Sequence, residues 1–320
     1  MKNNQKCAII GCGNVGATTA YTLMQSGLLS ELVLIDVNKK KAEGEVLDIL
    51  HSIPFYSPVN IYSGDYCDLI DCGIVIITAG ANQKPGETRT DLMRTNAKIF
   101  DNIIDSVCKY TTSAIIIVVT NPVDVLTYEV LKRSNLPQSR VIGSGTVLDS
   151  ARLKYLLGNH FGVDPRNVHA FIIGEHGDTE LAVWSSANIS GIDLDSYCYR
   201  CNKYNCDFEK LSEICESVKR SAYRIIESKG ATYYAIADAT RRIVSTIIRD
   251  EKAILPVSVY PDGKYGLDEL CISLPCIIGK DGVEKVLEIP LSKDERGKLL
   301  FSAETVKKNI ESLRSSYLYR

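Results

Sequence analysis

The chain has 320 residues, 45% of them hydrophobic and 24% charged, and a formal net charge of −2. That length accommodates two domains with large cores. The near-neutral balance, without a long basic run, argues against nucleic acid or a membrane surface as the main partner. No apolar run reaches the ~18 residues that span a bilayer, and the opening MKNNQKCAIIGCGNVG carries no signal-peptide cleavage pattern, so the expected location is the cytosol.

In chain order, the first half alternates β-branched apolar runs with helical patterns. Strands are expected at 6–11, 31–37, 72–80, 113–121 and 140–145, with helices at 14–27, 39–50, 91–110 and 122–134. The strands are near-continuously apolar, as strands are when helices cover both faces. The rhythm is that of a parallel, doubly wound α/β sheet. The second half changes character. A helix opens near Leu148 and runs toward His160, and strand-like VHAFIIG and LAVWSSANI follow. A charged amphipathic stretch covers about 207–248, then hairpin-like segments with turn dipeptides, then a closing helix at about 293–313. This reads as an α+β unit, with domains at 1–144 and 145–320 and no low-complexity linker between them.

Eleven cysteines are many, but most are expected in apolar strand-like runs (Cys7, Cys12, Cys72, Cys108, Cys276) as small hydrophobes. Reduced thiols are the expectation without a secretion signal. The cluster Cys198, Cys201 and Cys206 supplies only three ligands, with no neighbouring His and no second CxxC, so no metal is assigned.

The turn AIIGCGNVGATTAY places Gly11, Gly13 and Gly16 at G-x-G-x-x-G spacing, after a strand and at the mouth of a helix. The first glycine makes the turn, the second admits a pyrophosphate and the third lets helix and strand close up. The helix N-terminus adds free N–H groups and a positive dipole end. Alone the motif is weak, since a packing turn can carry three glycines. Asp36, twenty residues past Gly16 at the end of the next strand, strengthens it. An acid there accepts hydrogen bonds from the ribose hydroxyls and repels a 2′-phosphate, favouring NAD over NADP despite Lys39, Lys40 and Lys41.

Charged residues gather at other strand ends. TAGANQKPGETRTDL (78–92) is a polar Gly/Pro loop that can act as a lid carrying Arg89, and TNPVD (120–124) offers Asn121. In GTVLDSARLKYLL (145–157), Asp149 and Arg152 are i, i+3 and share a helix face with apolar neighbours. A surface ion pair is the commoner outcome of that spacing. A buried Arg, however, offers a planar fork matching a carboxylate. His176, in FIIGEHGDTE, has a free pKa of about 6.5 and can exchange a proton near neutrality. Asp149 could fix its tautomer, and Gly174 and Gly177 could let the backbone approach a ligand.

Six segments, GCGNVG, TAGANQKPGETR, NPVD, GSGTVLDSAR, GEHGDTE and KGATYY, stand in the order of the lactate/malate dehydrogenase family, and the chain resembles its bacterial L-lactate dehydrogenase branch over essentially its whole length. The resemblance implies a Rossmann doubly wound parallel sheet domain followed by an α+β catalytic domain. It implies His176 as acid/base, Asp149 as its orienting partner, Arg152 as carboxylate clamp and Arg89 as carbonyl-polarising group on the closing loop. Substrate contacts are expected from Gln83, Arg89, Asn121, Arg152 and Thr232. NAD is the implied cofactor, met by Gly11, Gly13, Val15, Gly16, Asp36, Lys41, Tyr66, Gly80, Ala81 and Asn121. Malate dehydrogenases carry Arg where this chain has Gln83, which points to pyruvate and L-lactate in fermentative metabolism. Relatives activated by fructose 1,6-bisphosphate place Arg and His at the positions of Lys154 and His169, so here only the His matches and activation stays open. A homotetramer is implied by resemblance. Two rivals remain: a malate or branched 2-hydroxy acid dehydrogenase on the same scaffold, and a non-catalytic NAD-binding protein.

Overall fold

The computed structural model describes residues 3–81, 89–201 and 208–318. The first half runs β1 (Asn3–Ile10), α1 (Asn14–Gln25), β2 (Glu31–Ile35), α2 (Lys39–Leu50), β3 (Asn60–Ser63), β4 (Cys72–Ile77), α3 (Arg89–Tyr110), β5 (Ile115–Val118), α4 (Val123–Ser134) and β6 (Val141–Gly143). The second half runs α5 (Val147–Phe161), β7 (Val168–His169), β8 (Ile172–Ile173), β9 (Leu181–Ala182), β10 (Asn188–Ile189), β11 (Ile192–Asp193), α6 (Leu194–Cys201), α7 (Phe208–Lys229), α8 (Tyr234–Ile248), β12 (Ala253–Val259), β13 (Ile272–Gly279), β14 (Gly282–Val286) and α9 (Lys293–Leu318).

The apolar runs form a parallel sheet because both its faces are covered. Every residue of β4 and of β5 is buried. Ile9 of β1 stands in register with Leu34 of β2 on one side and Ile76 of β4 on the other. The order β3-β2-β1-β4-β5-β6 changes direction beside β1, so β1 and β4 part company at their carboxyl ends, where open α/β sheets take ligands.

The second half does not keep to itself. β12 pairs antiparallel with β6 through Ser258 and Gly143, and β13 and β14 follow, extending the sheet to the order β14-β13-β12-β6-β5-β4-β1-β2-β3. The remaining short strands form two small sheets, β11-β10-β7 and β8-β9. VHAFIIG and LAVWSSANI are therefore broken into two-residue strands rather than two long ones. The amphipathic stretch near 207–248 is two helices, because Gly230 takes φ +84° and ends α7 before α8 begins. α8 then turns Ala237, Thr240, Val244 and Ile247 inward at helical spacing.

Two expectations about cysteine need correction. Cys108 lies in α3 and Cys12 in the turn after β1, so neither is a strand residue. Cys198 is disulfide-bonded, against the expectation of reduced thiols. The side chains of Cys201 and Cys206 lie outside the described residues. Among the described residues no helix is long and apolar enough to cross a membrane.

Candidate active site

The turn after β1 is built tightly. Gly11 takes φ +104°, and a Cβ there would strike the backbone of Ala79. A Cβ on Gly16 would run into the Gly11 carbonyl oxygen and Thr78 Oγ1, so β1, the following loop and α1 can close up only without one. Gly13, the N-cap of α1, is the opposite case: nothing lies within 4 Å of where its Cβ would stand. The helix end thus presents open N–H groups, with room for a phosphate. Asp36 Oδ2 accepts from Cys12 N at 2.7 Å and Oδ1 accepts from Asn38 N at 2.8 Å. Those bonds hold the carboxylate beside the glycine turn, with lone pairs to spare for a diol. These features fit a dinucleotide.

The other residues expected at the cofactor lie along the same edge. Val15 is in the first turn of α1, Lys41 is exposed in the first turn of α2, and Tyr66 is half-buried after β3. Gly80 and Ala81 follow β4. Asn96 of α3 ties two loops together: its Oδ1 accepts from Ala81 N at 2.8 Å, and its Nδ2 donates to the Asn121 carbonyl at 2.9 Å.

Across the β6 end of the sheet, the loop 174–180 is carried between β8 and β9 and fastened on several sides. Ser150 of α5 accepts from Ile172 N at 2.8 Å, and Thr146 Oγ1 donates to the Ile172 carbonyl at 2.6 Å. Glu175 N donates to Ser302 Oγ of α9 at 2.7 Å. His176 N donates to Asp124 Oδ2 of α4 at 2.7 Å, while Ser258 of β12 donates to Asp124 Oδ1 at 2.5 Å. Gly174 takes φ +96°, and a Cβ there would press on Ser302. Its freedom therefore serves packing against α9.

These anchors bring His176 Nδ1 to 2.6 Å from Asp149 Oδ2. An ionised carboxylate can only accept, so Nδ1 holds the proton and Nε2 is left for chemistry. Asp149 Oδ1 accepts from Arg152 at 2.9 Å. The pair is not a surface one: the side chains of Arg152 and Asp149 are 14% and 3% exposed. Arg152 keeps further guanidinium donors for a planar anion.

Charge in this cluster is strongly coupled. Burial opposes the imidazolium of His176, but Asp149, its hydrogen bond, Glu180 and Asp124 outweigh it and lift the ring to about 9. Burial alone would raise Asp149, yet His176 and Arg152 hold it below the usual carboxylate range. Burial raises Asp124 to about 6, against the pull of Ser258 and the His176 amide. The ring is thus poised to carry a proton at neutral pH, with its counter-charge fixed beneath it.

The structure therefore brings His176, Asp149 and Arg152 together. Arg89 begins α3, but its side chain and Gln83 lie outside the described residues. Asn121 is exposed at the end of the strand edge, and Thr232 is half-buried between α7 and α8. Lys154 is half-buried on α5, its Nζ 6.0 Å from the ring centroid of Phe171, and burial, then Arg242, lowers its proton affinity. His169 is exposed on β7. Asp124 and Glu180 were not singled out from sequence. The available signal was an acid in the otherwise apolar NPVDVLTY, and a last acid in GEHGDTE, directly before an apolar strand.

Comparison with known proteins agrees in both halves. Residues 5–143 match the model for the lactate/malate dehydrogenase NAD binding domain, and residues 146–316 that for the lactate/malate dehydrogenase alpha/beta C-terminal domain. The L-lactate dehydrogenase of Acetivibrio thermocellus is 55% identical over 318 residues, covering 98% of this chain and 99% of that protein. L-lactate dehydrogenase 1 of Clostridium acetobutylicum is 50% identical, covering 98% and 100%. Among solved structures, MGS-M5, a lactate dehydrogenase from a Medee basin deep-sea metagenome library, superposes with a TM-score of 0.94 at 42% identity, covering 98% of this chain and 100% of that one. The minor L-lactate dehydrogenase of Enterococcus mundtii gives 0.93 at 39%, covering 97% and 99%. With a glycine turn shaped for a dinucleotide, a half-buried His–Asp–Arg cluster and these matches across both halves, the chain belongs to the lactate/malate dehydrogenase family.

Proposed function

We propose that the chain is an NAD-dependent L-lactate dehydrogenase that interconverts pyruvate and L-lactate, with residues 1–144 holding the coenzyme and residues 145–320 holding the substrate. The observation that carries this reading is the half-buried cluster of His176 and Arg152 on the buried Asp149. It joins an acid/base whose tautomer is set to a carboxylate-binding fork, which is what a 2-oxo acid requires. The names of the relatives, L-lactate dehydrogenases at 50–55% identity over nearly the full chain, support it.

NADH supplies the hydride when bound; Gly13 at the α1 N-terminus and Asp36 are the residues that would hold it. Arg152 clamps the substrate carboxylate, so the carbonyl faces His176. In reduction, the His176 imidazolium donates the Nε2 proton to the substrate oxygen, and Asp149 stabilises the ring while it is charged. In oxidation the neutral ring takes that proton back. Arg89 is assigned to polarise the carbonyl, and Asn121 and Thr232 to line the pocket; charge stabilisation of this kind is strongest once water is excluded.

Substrate choice rests on Gln83. A neutral side chain leaves the second carboxylate of oxaloacetate unpaired in a desolvated pocket, which is costly, whereas pyruvate presents only a methyl group. NADH oxidation by the purified chain should therefore be faster with pyruvate than with oxaloacetate at equal concentration, and Gln83→Arg should invert the order. Faster turnover of oxaloacetate by the unaltered chain would overturn the substrate assignment.

Activation by fructose 1,6-bisphosphate is the finer part of the proposal. Lys154 and His169, doubled across a two-fold axis of a homotetramer, would form its phosphate site. Lys154 is a point charge rather than a fork and is weakened by its burial, so the expected response is small. Pyruvate saturation curves that coincide with and without the bisphosphate would remove it. A cytosolic role in fermentation accompanies this reading.

A further inference from the structure

One buried carboxyl beside the acid/base has no task in the scheme above. Glu180 closes the loop 174–180 and is 4% exposed, and its Oε1 has no hydrogen-bond partner among the described residues. Carboxyl oxygens of Glu180 and Asp149 and a ring nitrogen of His176 lie within 4.8 Å of one another. A Glu buried only for packing is a poor choice, since its unpartnered oxygen costs free energy that an apolar side chain of similar size avoids. The three groups have the makeup of a cation site. However, both Asp149 oxygens are already engaged, one by His176 and one by Arg152, so Glu180 alone has an oxygen to offer.

We propose that Glu180 is a positioning residue of the acid/base site, a second carboxyl that acts on the reaction through the charge of the His176 ring. The inference rests on the role given to His176 above. Asp149 and Arg152 of α5, His176 in its own loop and Lys219 of α7 are the charged groups that face Glu180. Asp124 of α4, which accepts from the His176 amide, is a further charge acting on the ring. Glu180 also lines a crevice of about 560 Å³, shared with Cys215 and Lys219 of α7 and Glu295 of α9. The residue thus belongs both to the surroundings of the ring and to the wall of this crevice, with its Oε1 buried.

Burial, then Asp149, pushes the Glu180 carboxyl up to about 8, against the pull of His176, Lys219 and Arg152. When ionised, its negative charge helps the ring keep its proton. Loss of a proton from one of these neighbouring groups changes the charge that the other meets, so their titrations are linked.

The test is the pH profile of kcat/KM for pyruvate. With Glu180→Gln the alkaline fall should move to lower pH by about one unit, because the carboxylate that favours the imidazolium is gone. Glu180→Asp, which keeps the charge, should restore most of that shift. A fall that stays at its unaltered pH in Glu180→Gln overturns the inference, whereas an unaltered chain that does not reduce pyruvate at all overturns the reading it rests on. A second measurement needs no substitution. In the unaltered protein with labelled histidine, the His176 ring resonance should titrate in two steps, and a single-step curve overturns the inference equally.

Discussion

Asp149→Asn should lower the maximal rate of pyruvate reduction by roughly 10²–10⁴-fold, with the chain still folded and still binding NADH. An amide can offer its N–H₂ to Nδ1, which turns the ring over to the wrong tautomer and removes the charge that stabilises the imidazolium. The pH profile should change with it. In the unaltered chain, reduction needs the protonated ring, so it should hold up to about 9 and then fall about tenfold per unit, while lactate oxidation rises through the same pH. In Asp149→Asn that limb should move to lower pH, because the largest raising influence on His176 is lost. Stability follows the same sign. A ring whose folded value lies above its free value of about 6.5 adds stability that is full below that pH and lost as pH climbs through about 9. Asp149→Ala, which leaves His176 and Arg152 without their counter-charge, should cost about 3–5 kcal/mol in urea unfolding. A reduction rate within threefold of the unaltered chain in Asp149→Asn would falsify the role assigned here.

Arg152→Lys should reduce kcat/KM for pyruvate about 10²-fold even though the charge is kept. The loss is one of shape. A guanidinium can bind Asp149 through one N–H and still present two parallel donors to a carboxylate, whereas an ammonium on a flexible stem cannot do both. Most of the loss should appear as a raised KM, and the affinity for NADH measured by its fluorescence should be unaffected. A variant whose KM for pyruvate is unchanged would show that the substrate carboxylate is held elsewhere.

What could be read from the chain followed the range of the interactions involved. Gly11, Gly13, Gly16 and Asp36 were legible because turn geometry and dipole direction are local, and a strand end fixes where the acid falls. Asp149 and Arg152 were legible as a shared helix face, but not as a pair withdrawn from the surface, because that depends on elements from elsewhere in the chain packing on α5, among them α7, α8 and β12. The meeting of Asp149 with His176, 27 residues apart, was reached from chemistry and from resemblance rather than from any spacing rule. Asp124 and Glu180 escaped because each is a single acid whose meaning comes from distant partners: the Asp124 carboxylate bonds Ser258, 134 residues away. β3 escaped because NIYS is short and mixed at the sheet edge, and the addition of β12–β14 to the first sheet is an antiparallel pairing that no local pattern announces.

The β6–β12 junction limits how the molecule can move. Ser258 sits at that junction, opposite Gly143, and its hydroxyl also grips the carboxylate that holds the His176 amide. Rotating one half as a rigid body against the other would strain the seam and shift the His176 ring relative to Asp149. Motion that left this seam intact would fall on segments peripheral to the sheet and would spare the His176–Asp149 contact.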